Sequence, residues 1–213
     1  MADNIQRYGF RYHGNRGYPS PVPEKYPVAS NSTFQDTNSA TVNLNVGDVV
    51  KKVNDGTVAL AAATDAFFGI VINILPYYDS VAKVMTFGKS LPGPTPNWGT
   101  NYANQTFVEI VVVAGFIWEV DCNDNTTATT FQAYQTFIGE NMNHINTGDT
   151  TNLTANPQLN VSGHATTNSL QWRCCGISPS LENADFTGKY VKLLVTANIS
   201  QQAGGGAGST TGV

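Results

Sequence analysis

Two stretches of this sequence have residue types and spacings that could bind a phosphate group or a calcium ion. Gly88-Lys89-Ser90 matches the end of a phosphate-binding loop, but Lys83 stands where the first glycine of that motif belongs. Asp121-x-Asn123-x-Asn125 resembles the start of a calcium-binding loop, but Thr126 replaces the required glycine and Gln132 replaces the closing glutamate. The sequence therefore predicts neither site, and we interpret the acidic residues as turn residues that face water.

The histidines and cysteines do not predict a catalytic or metal site. His13, His144 and His164 show no ligand spacing, and no Gly-x-Ser-x-Gly or Cys-x-x-Cys motif accompanies them. We expect these histidines in solvated loops. Cys174 and Cys175 are adjacent and would project to opposite sides of a strand, so we expect them to fill small spaces in the core. Carboxylates are too scattered to nominate an acid–base pair, although a glycosidase stays open. We predict no catalytic residue, no metal, no cofactor and no enzymatic activity.

Three tryptophans raise the alternative of a carbohydrate-binding protein, because the CH groups of sugars pack on indole faces. Trp118 and Trp172 fall on strands where the pattern predicts burial, which leaves Trp98 alone in a loop rich in Pro and Gly. One exposed tryptophan is weak support for a sugar-binding platform.

Solubility in this chain depends on amides and hydroxyl groups more than on ions. Asp, Glu, Lys and Arg make up 12% of the residues, against roughly 25% in an ordinary soluble domain. Asn and Thr take much of their place, and Asn favours turns whereas Thr favours pleated, half-buried strands. This composition is typical of a β-rich protein with many loops.

Charge is unevenly distributed along the chain. The formal net charge of −4 gives no reason to expect nucleic acid as a partner. No basic residue lies between Lys89 and Arg173, a stretch that contains six acidic residues. The N-terminal part is instead basic, with Arg7, Arg11, Arg16 and Lys25. We expect a basic arm that precedes an acidic body.

Cysteine content and hydropathy indicate the compartment in which the chain is made. Three cysteines make a poor disulfide framework, and no secretory signal opens the chain. We therefore expect synthesis in a reducing, cytosolic compartment. No apolar run approaches the roughly 20 residues that a membrane helix needs, which predicts a protein without a membrane span.

The distribution of apolar residues divides the chain into three parts. Residues 1–40 contain aromatic, Arg, Gly and Pro residues without an apolar period, which predicts an extended N-terminal arm. Residues 41–200 alternate short apolar segments with turn residues and predict a single β-rich body. Residues 201–213 are Gly-rich and predict a flexible tail. The predicted fold class is all-β, with an antiparallel β-barrel or β-sandwich as the body.

Several strands of that body can be placed from the sequence. Asn54-Asp55-Gly56 between two apolar runs predicts a hairpin, and Phe68–Leu75 is apolar on both faces, which predicts a central strand. The even positions of 107–122 are all apolar, as one buried face requires. A strand of sixteen residues would be longer than usual, so we predict a bulge or a tight reversal at Ala114-Gly115. Phe131–Ile138 fits both a strand and a helix.

The order and spacing of these signals resemble a group of tailed-bacteriophage head proteins known as capsid decoration, cement or head-stabilisation proteins. The similarity covers most of the chain loosely, and the loops at 91–105 and 141–169 do not share it. The stretches that carry it are Tyr8-Gly9-Phe10-Arg11, Lys25-Tyr26-Pro27-Val28-Ala29, Val46-Gly47-Asp48-Val49-Val50-Lys51, Phe68-Gly69-Ile70-Val71, Thr130-Phe131-Gln132-Ala133-Tyr134-Gln135, Ile138-Gly139-Glu140-Asn141 and the closing strand Lys189–Ile199.

The resemblance implies a structural virion protein that binds the outer surface of a phage capsid and bridges major capsid subunits. The implied partners are the major capsid protein and further copies of this chain, with a homotrimer favoured. The protein would be made in the host cytoplasm and end on the capsid exterior. The alternatives are a carbohydrate-binding or adhesin-like β domain and another minor virion component, such as a tail protein.

In this interpretation the N-terminal arm makes the capsid contact. Arginines would pair with carboxylates of the shell, and aromatic side chains would fill pockets, because these residue types dominate interface energies. We also expect that deletion of residues 1–40 leaves the body folded. The expected capsid-binding residues are Arg7, Tyr8, Phe10, Arg11, Tyr12, Arg16 and Tyr18.

Overall fold

The structure is a computed structural model that describes residues 9–15, 17, 20–29, 42–53, 56–93, 106–123, 128–146, 157–183, 185–187 and 190–201. The described residues form antiparallel sheets and one short helix, α1 (Phe131–Gln135), which confirms the predicted all-β class. The strands are β1 (Arg11–Asn15), β2 (Glu24–Pro27), β3 (Leu44–Asn45), β4 (Val49–Lys52), β5 (Val58–Leu60), β6 (Gly69–Ile74), β7 (Tyr77–Asp79), β8 (Val84–Thr86), β9 (Ser90–Leu91), β10 (Phe107–Val112), β11 (Phe116–Asp121), β12 (Asn141–Met142), β13 (His144–Asn146), β14 (Pro157–Leu159), β15 (Trp172–Ile177) and β16 (Lys192–Ala197).

Two five-stranded sheets form the body. Sheet I has the strand order β1-β11-β16-β15-β12, and sheet II has the order β2-β10-β6-β4-β5. Three two-stranded sheets, β3-β9, β7-β8 and β13-β14, accompany them. β6 lies in the middle of sheet II between β10 and β4, which confirms the central strand predicted at 68–75.

Sheet II closes on itself as a small barrel. Val28, next to the edge strand β2, bridges to Val58 on the opposite edge strand β5, and the N–H of Ala29 donates to the carbonyl of Val58 at 2.9 Å. Along each strand of a barrel, residues that point inward alternate with residues that point outward. The inward side chains here are apolar and fill the interior. This interior cluster contains Val28, Val42, Leu44, Val50, Val58, Leu60, Phe68, Val71, Ile74, Tyr77, Leu91, Val108 and Ile110.

A second apolar cluster contains residues of both sheets. A tight reversal after β10 carries the chain from sheet II into β11 of sheet I, and Gly115 supplies its positive φ of 81°. This confirms the reversal predicted at Ala114-Gly115. The even positions do not share one buried face, however: Val108 and Ile110 lie inside the barrel, whereas Trp118 and Val120 join the second cluster. The period of two continues through the reversal, but the strands before and after it belong to different sheets.

The ambiguous segment 131–138 begins with a helix. Thr130 is the N-cap, and its hydroxyl oxygen accepts a hydrogen bond from the N–H of Ala133 at 3.2 Å. Tyr134 and Phe137 pack into the cluster that contains residues of both sheets. The helix is therefore a short cover over the core and not part of a sheet.

The N-terminal residues do not separate from the body at residue 40. β1 is an edge strand of sheet I, and β2 is an edge strand of sheet II. Phe10 and Val28 are buried in the two clusters. Deletion of 1–40 would remove two edge strands and two core residues, so we expect it to destabilise the body, in contrast to the expectation from the sequence.

Three further predictions concern residues that lie partly or wholly outside the described part of the chain. The hairpin predicted at 54–56 is confirmed by the antiparallel pairing of β4 with β5, although Asn54 and Asp55 lie outside the described residues. The predicted tail beyond Gln201 and the remaining residues of the predicted arm also lie outside them. No helix in the described ranges is long and apolar enough to cross a membrane.

Candidate functional site

Phe10 anchors the N-terminal segment in the core. Its ring stacks on the indole of Trp172 at a centroid distance of 4.2 Å, and Phe67 stacks on the same indole at 4.3 Å. The N–H of Phe10 donates to the carbonyl of Gly47 at 3.0 Å. The side chain is 2% exposed, so in this conformation it fills a pocket of its own chain and not one of a partner.

Arg11 and Tyr12 lie on β1 and contact β11. Arg11 pairs in register with Glu119, and its Nε–H donates to Glu119 Oε1 at 2.6 Å. Tyr12 is partly exposed and packs edge-on against Phe116 and Trp118, with centroid distances of 5.9 and 6.1 Å. The expected pairing of an arginine with a carboxylate and packing of an aromatic ring thus occur within this chain.

β1 is an edge strand of sheet I among the described strands. β1 ends the strand order of sheet I, so its second edge pairs with no strand in the described ranges. His13 and Asn15 on this strand are exposed. The other expected site residues, Arg7, Tyr8, Arg16 and Tyr18, lie outside the described residues.

The hairpin of β7 and β8 carries an apolar surface that the sequence pattern did not reveal. Tyr78 and Met85 are directly paired and lie on one face, and Phe87 follows two residues later on the same side. All three are exposed, as is Val81 in the turn. The apolar residues at 81–87 predict a strand. Nothing in the local sequence, however, predicts that the apolar face of this strand is exposed.

A groove runs between α1 and the residues that follow β15. Its cavity volume is about 450 Å³, and no charged residue is among those that line it. Phe131 and Phe186 meet edge-to-face at a centroid distance of 5.4 Å at this groove. Gln135 is one of the polar side chains that line it.

His144 corrects the expectation of solvated loop histidines. It is fully buried, and its Nε2 lies 3.1 Å from the carbonyl oxygen of Ala61 while the N–H of Trp172 points to its Nδ1 at 3.4 Å. Burial lowers the pKa of His144 to about 4, although the carbonyl of Ala61, the side chain of Gln171 and the charge of Asp65 oppose this shift. The other two histidines differ: His13 is exposed and His164 is half-buried beside Glu140.

Asp121 corrects the interpretation of the calcium-like stretch as turn residues that face water. Asp121 is the last residue of β11 and is buried, with Lys192 Nζ 3.6 Å from its Oδ1. Asn123 Oδ1 accepts a hydrogen bond from the N–H of Val161. Over the part of the chain that the structure describes, no group of three or more His, Cys, Asp or Glu residues is placed to hold a metal ion.

Cys174, Trp118 and Trp172 are buried on strands, as the sequence pattern predicts. Cys174 and Cys175 lie on β15, with Cys174 in the core and Cys175 half-buried. Burial raises the pKa of Cys174 to about 12, which keeps its thiol protonated and unreactive. Trp118 and Trp172 are fully buried and do not form a sugar platform, and Trp98 lies outside the described residues.

Comparisons with known proteins identify no relative. No protein family, no curated protein and no solved structure matches this chain.

Proposed function

We propose that this chain is a structural virion protein that binds the outer surface of a tailed-phage capsid and holds neighbouring major capsid subunits together. Such a protein stabilises a shell by adding interface area that must be broken before subunits separate. The proposal includes a homo-oligomer, with a trimer favoured, and no enzymatic activity, cofactor, nucleic acid or membrane partner.

The observation that most supports this proposal is the position of the N-terminal segment. The stretch 8–11, where the resemblance to decoration proteins begins, leads directly into β1. That strand has one edge paired with β11 and one edge open among the described strands. An open strand edge offers backbone donors and acceptors to an extended segment of another protein.

The apolar face of the β7–β8 hairpin adds a second contact surface. Tyr78, Met85 and Phe87 expose aromatic and thioether groups of the kind enriched at interface centres. A protein that attaches to a shell through two different surfaces can touch two shell subunits at once, which is what bridging requires.

The test is co-sedimentation of the purified protein with empty, expanded heads of the virus that encodes it, titrated to saturation. The proposal expects binding that saturates at a fixed ratio to the major capsid protein. A wild-type protein that stays in the supernatant at every concentration would overturn the proposal.

Variants should leave the body intact, so point changes replace the deletion of residues 1–40. Arg7→Glu with Arg16→Glu should weaken sedimentation, and the loss relative to the wild type should be largest at low salt, because salt screens the ion pairs of the wild type near the surface. Phe87→Ser removes an exposed ring from the apolar face of the β7–β8 hairpin and should also weaken sedimentation. Lys83→Ser, in the turn of the same hairpin, is the matched control and should bind as the wild type does.

The groove beside α1 favours one alternative, a carbohydrate-binding protein. Its lining combines Phe131 and Phe186 with the amide of Gln135 and no charge, which suits a neutral sugar ring. A glycan that binds the wild type and is lost with Phe131→Ala, in a protein that does not sediment with heads, would favour this alternative.

A further inference from the structure

Three charged side chains are buried on the outer face of sheet I. Trp118 and Val120 of β11 belong to the apolar cluster, so the alternating residues Glu119 and Asp121 point to the opposite face. Lys192 of β16 is the register partner of Asp121. Glu119, Asp121 and Lys192 are nevertheless 4%, 2% and 1% exposed, which means that other residues cover this face.

The segment that follows β15 provides part of that cover. The side-chain amide of Asn183 donates to the carbonyls of Ser178 and Lys192, at 2.9 Å in both cases, and its oxygen accepts from the N–H of Lys192 at 2.7 Å. The hydroxyl of Ser178 donates to Glu119. These hydrogen bonds fasten residues 178–183 over β11 and β16 and help to keep water away from the side chains of Asp121 and Lys192.

Burial makes the ion pair of Asp121 and Lys192 costly and chemically unusual. Removal of two charges from water costs more than a modest attraction between them returns. The distance of 3.6 Å between Lys192 Nζ and Asp121 Oδ1 places the amine next to the carboxyl group that it would have to attack. An amine and a carboxyl held together in a dry site are the reactants of an amide.

We propose that the side chains of Lys192 and Asp121 condense into an amide that joins β16 to β11. A proton first passes from the ammonium group to the carboxylate, which leaves a neutral amine and a carboxylic acid. The amine nitrogen then attacks Asp121 Cγ, the N–C bond forms, and one C–O bond breaks. The departing hydroxyl leaves as water with a proton from the nitrogen, so no oxidant or further reactant is needed.

Exclusion of water gives this reaction its direction. Amide formation releases one water molecule, and a site without water does not supply the reactant for hydrolysis. The new bond also removes both buried charges. It would brace sheet I covalently in a chain whose three cysteines form no disulfide among the described residues. This inference does not depend on the proposed function.

A second ion pair in the same molecule is an internal control. Lys51 Nζ lies 2.6 Å from Asp65 Oδ2, closer than the buried pair, but both side chains are about one-third exposed. Water hydrates these charges and competes for the carboxyl. We therefore expect Lys51 to remain unmodified.

The test is the mass of the full wild-type chain, measured after denaturation and followed by digestion with trypsin. The proposal expects a mass lower than that of the sequence by one water molecule. It also expects no cleavage after Lys192, so that residues 190–213 stay attached to residues 90–173. Cleavage after Lys51 should be normal.

Variants and alternative outcomes separate this bond from other losses of mass. Lys192→Arg and Asp121→Ala should each restore the sequence mass. A wild-type chain with the full sequence mass would overturn the proposal. So would the loss of one ammonia, which would indicate reaction with an asparagine such as Asn183, and so would the loss of water without joined peptides, which would indicate a cyclised Asp55-Gly56.

Discussion

Acidification should destabilise this protein through one residue, His144. Its ring is buried in the neutral form, with its Nε2–H donating to Ala61 and its Nδ1 accepting from Trp172. A second ring proton would sit on Nδ1 and face the N–H of Trp172, where it has no acceptor. The folded protein therefore resists protonation of His144, as the lowered pKa of about 4 expresses.

The size of the effect follows from the two protonation equilibria. The unfolded chain binds this proton with a pKa of about 6.5, so between pH 6.5 and pH 4 the unfolded state holds more protons than the folded state. Stability contributed by the neutral ring is fully present above pH 6.5 and is lost as the pH falls towards 4. The loss reaches about 2 kcal/mol at pH 5 and about 3 kcal/mol below pH 4, a large fraction of the 5–15 kcal/mol typical of domains.

The assay is urea unfolding, followed by the fluorescence of the buried tryptophans, at pH 7 and at pH 5. The free energy of unfolding of the wild type should fall by about 2 kcal/mol more between these pH values than that of His144→Gln, whose side chain keeps a donor for Ala61 without titrating. His13→Gln, a change at an exposed histidine, should keep the wild-type difference. Equal pH dependence in the wild type and His144→Gln would refute the assignment of His144 as a buried neutral group.

Three substitutions test the fold in thermal and urea unfolding. Gly69→Ala should cost about 1–3 kcal/mol, because a Cβ there would contact Ile110 and lie 2.8 Å from the carbonyl oxygen of Val111; Gly14→Ala, with open space around it, is the control, and equal stability of the two would contradict the packing. Phe10→Ala should cost about 3–5 kcal/mol, and a cost near zero would show that the N-terminal anchor is not part of the core. Thr130→Ala should cost about 1 kcal/mol through the lost helix cap, and an unchanged unfolding midpoint would argue against that cap.

The strands are the part of the fold that local pattern predicts well. The segment 68–75, which is apolar on both faces, corresponds to the central strand β6. The reversal at Gly115 could be predicted because the apolar alternation at 107–122 is too long for one strand. Closure of sheet II could not be predicted in this way. The bridge that closes it joins Val28 to Val58, which are 30 positions apart in the sequence. The local sequence around each valine does not indicate which strand it pairs with.

The buried polar residues mark the limit of periodicity arguments. Glu119 and Asp121 alternate with core residues, so their positions predict exposure, and a loop that follows β15 reverses that outcome. The burial of His144 has the same origin, because β13 is flanked by polar residues and only the tertiary structure places Phe67 and Trp172 around it. Because local pattern does not show which residues are brought together by the tertiary structure, the sequence did not predict Glu119 as the partner of Arg11.

The arrangement of the two sheets also determines the order in which a growing chain can complete them. All five strands of the barrel lie between residues 24 and 112, so the ribosome delivers every strand of sheet II before it has made half of sheet I. The central strand of sheet I is β16, which is the last of the described strands to be synthesised. The indole on which Phe10 stacks arrives only with residue 172. Phe10 is thus synthesised long before the ring on which it stacks, and a chain that does not yet include Trp172 has the segment around Phe10 undocked.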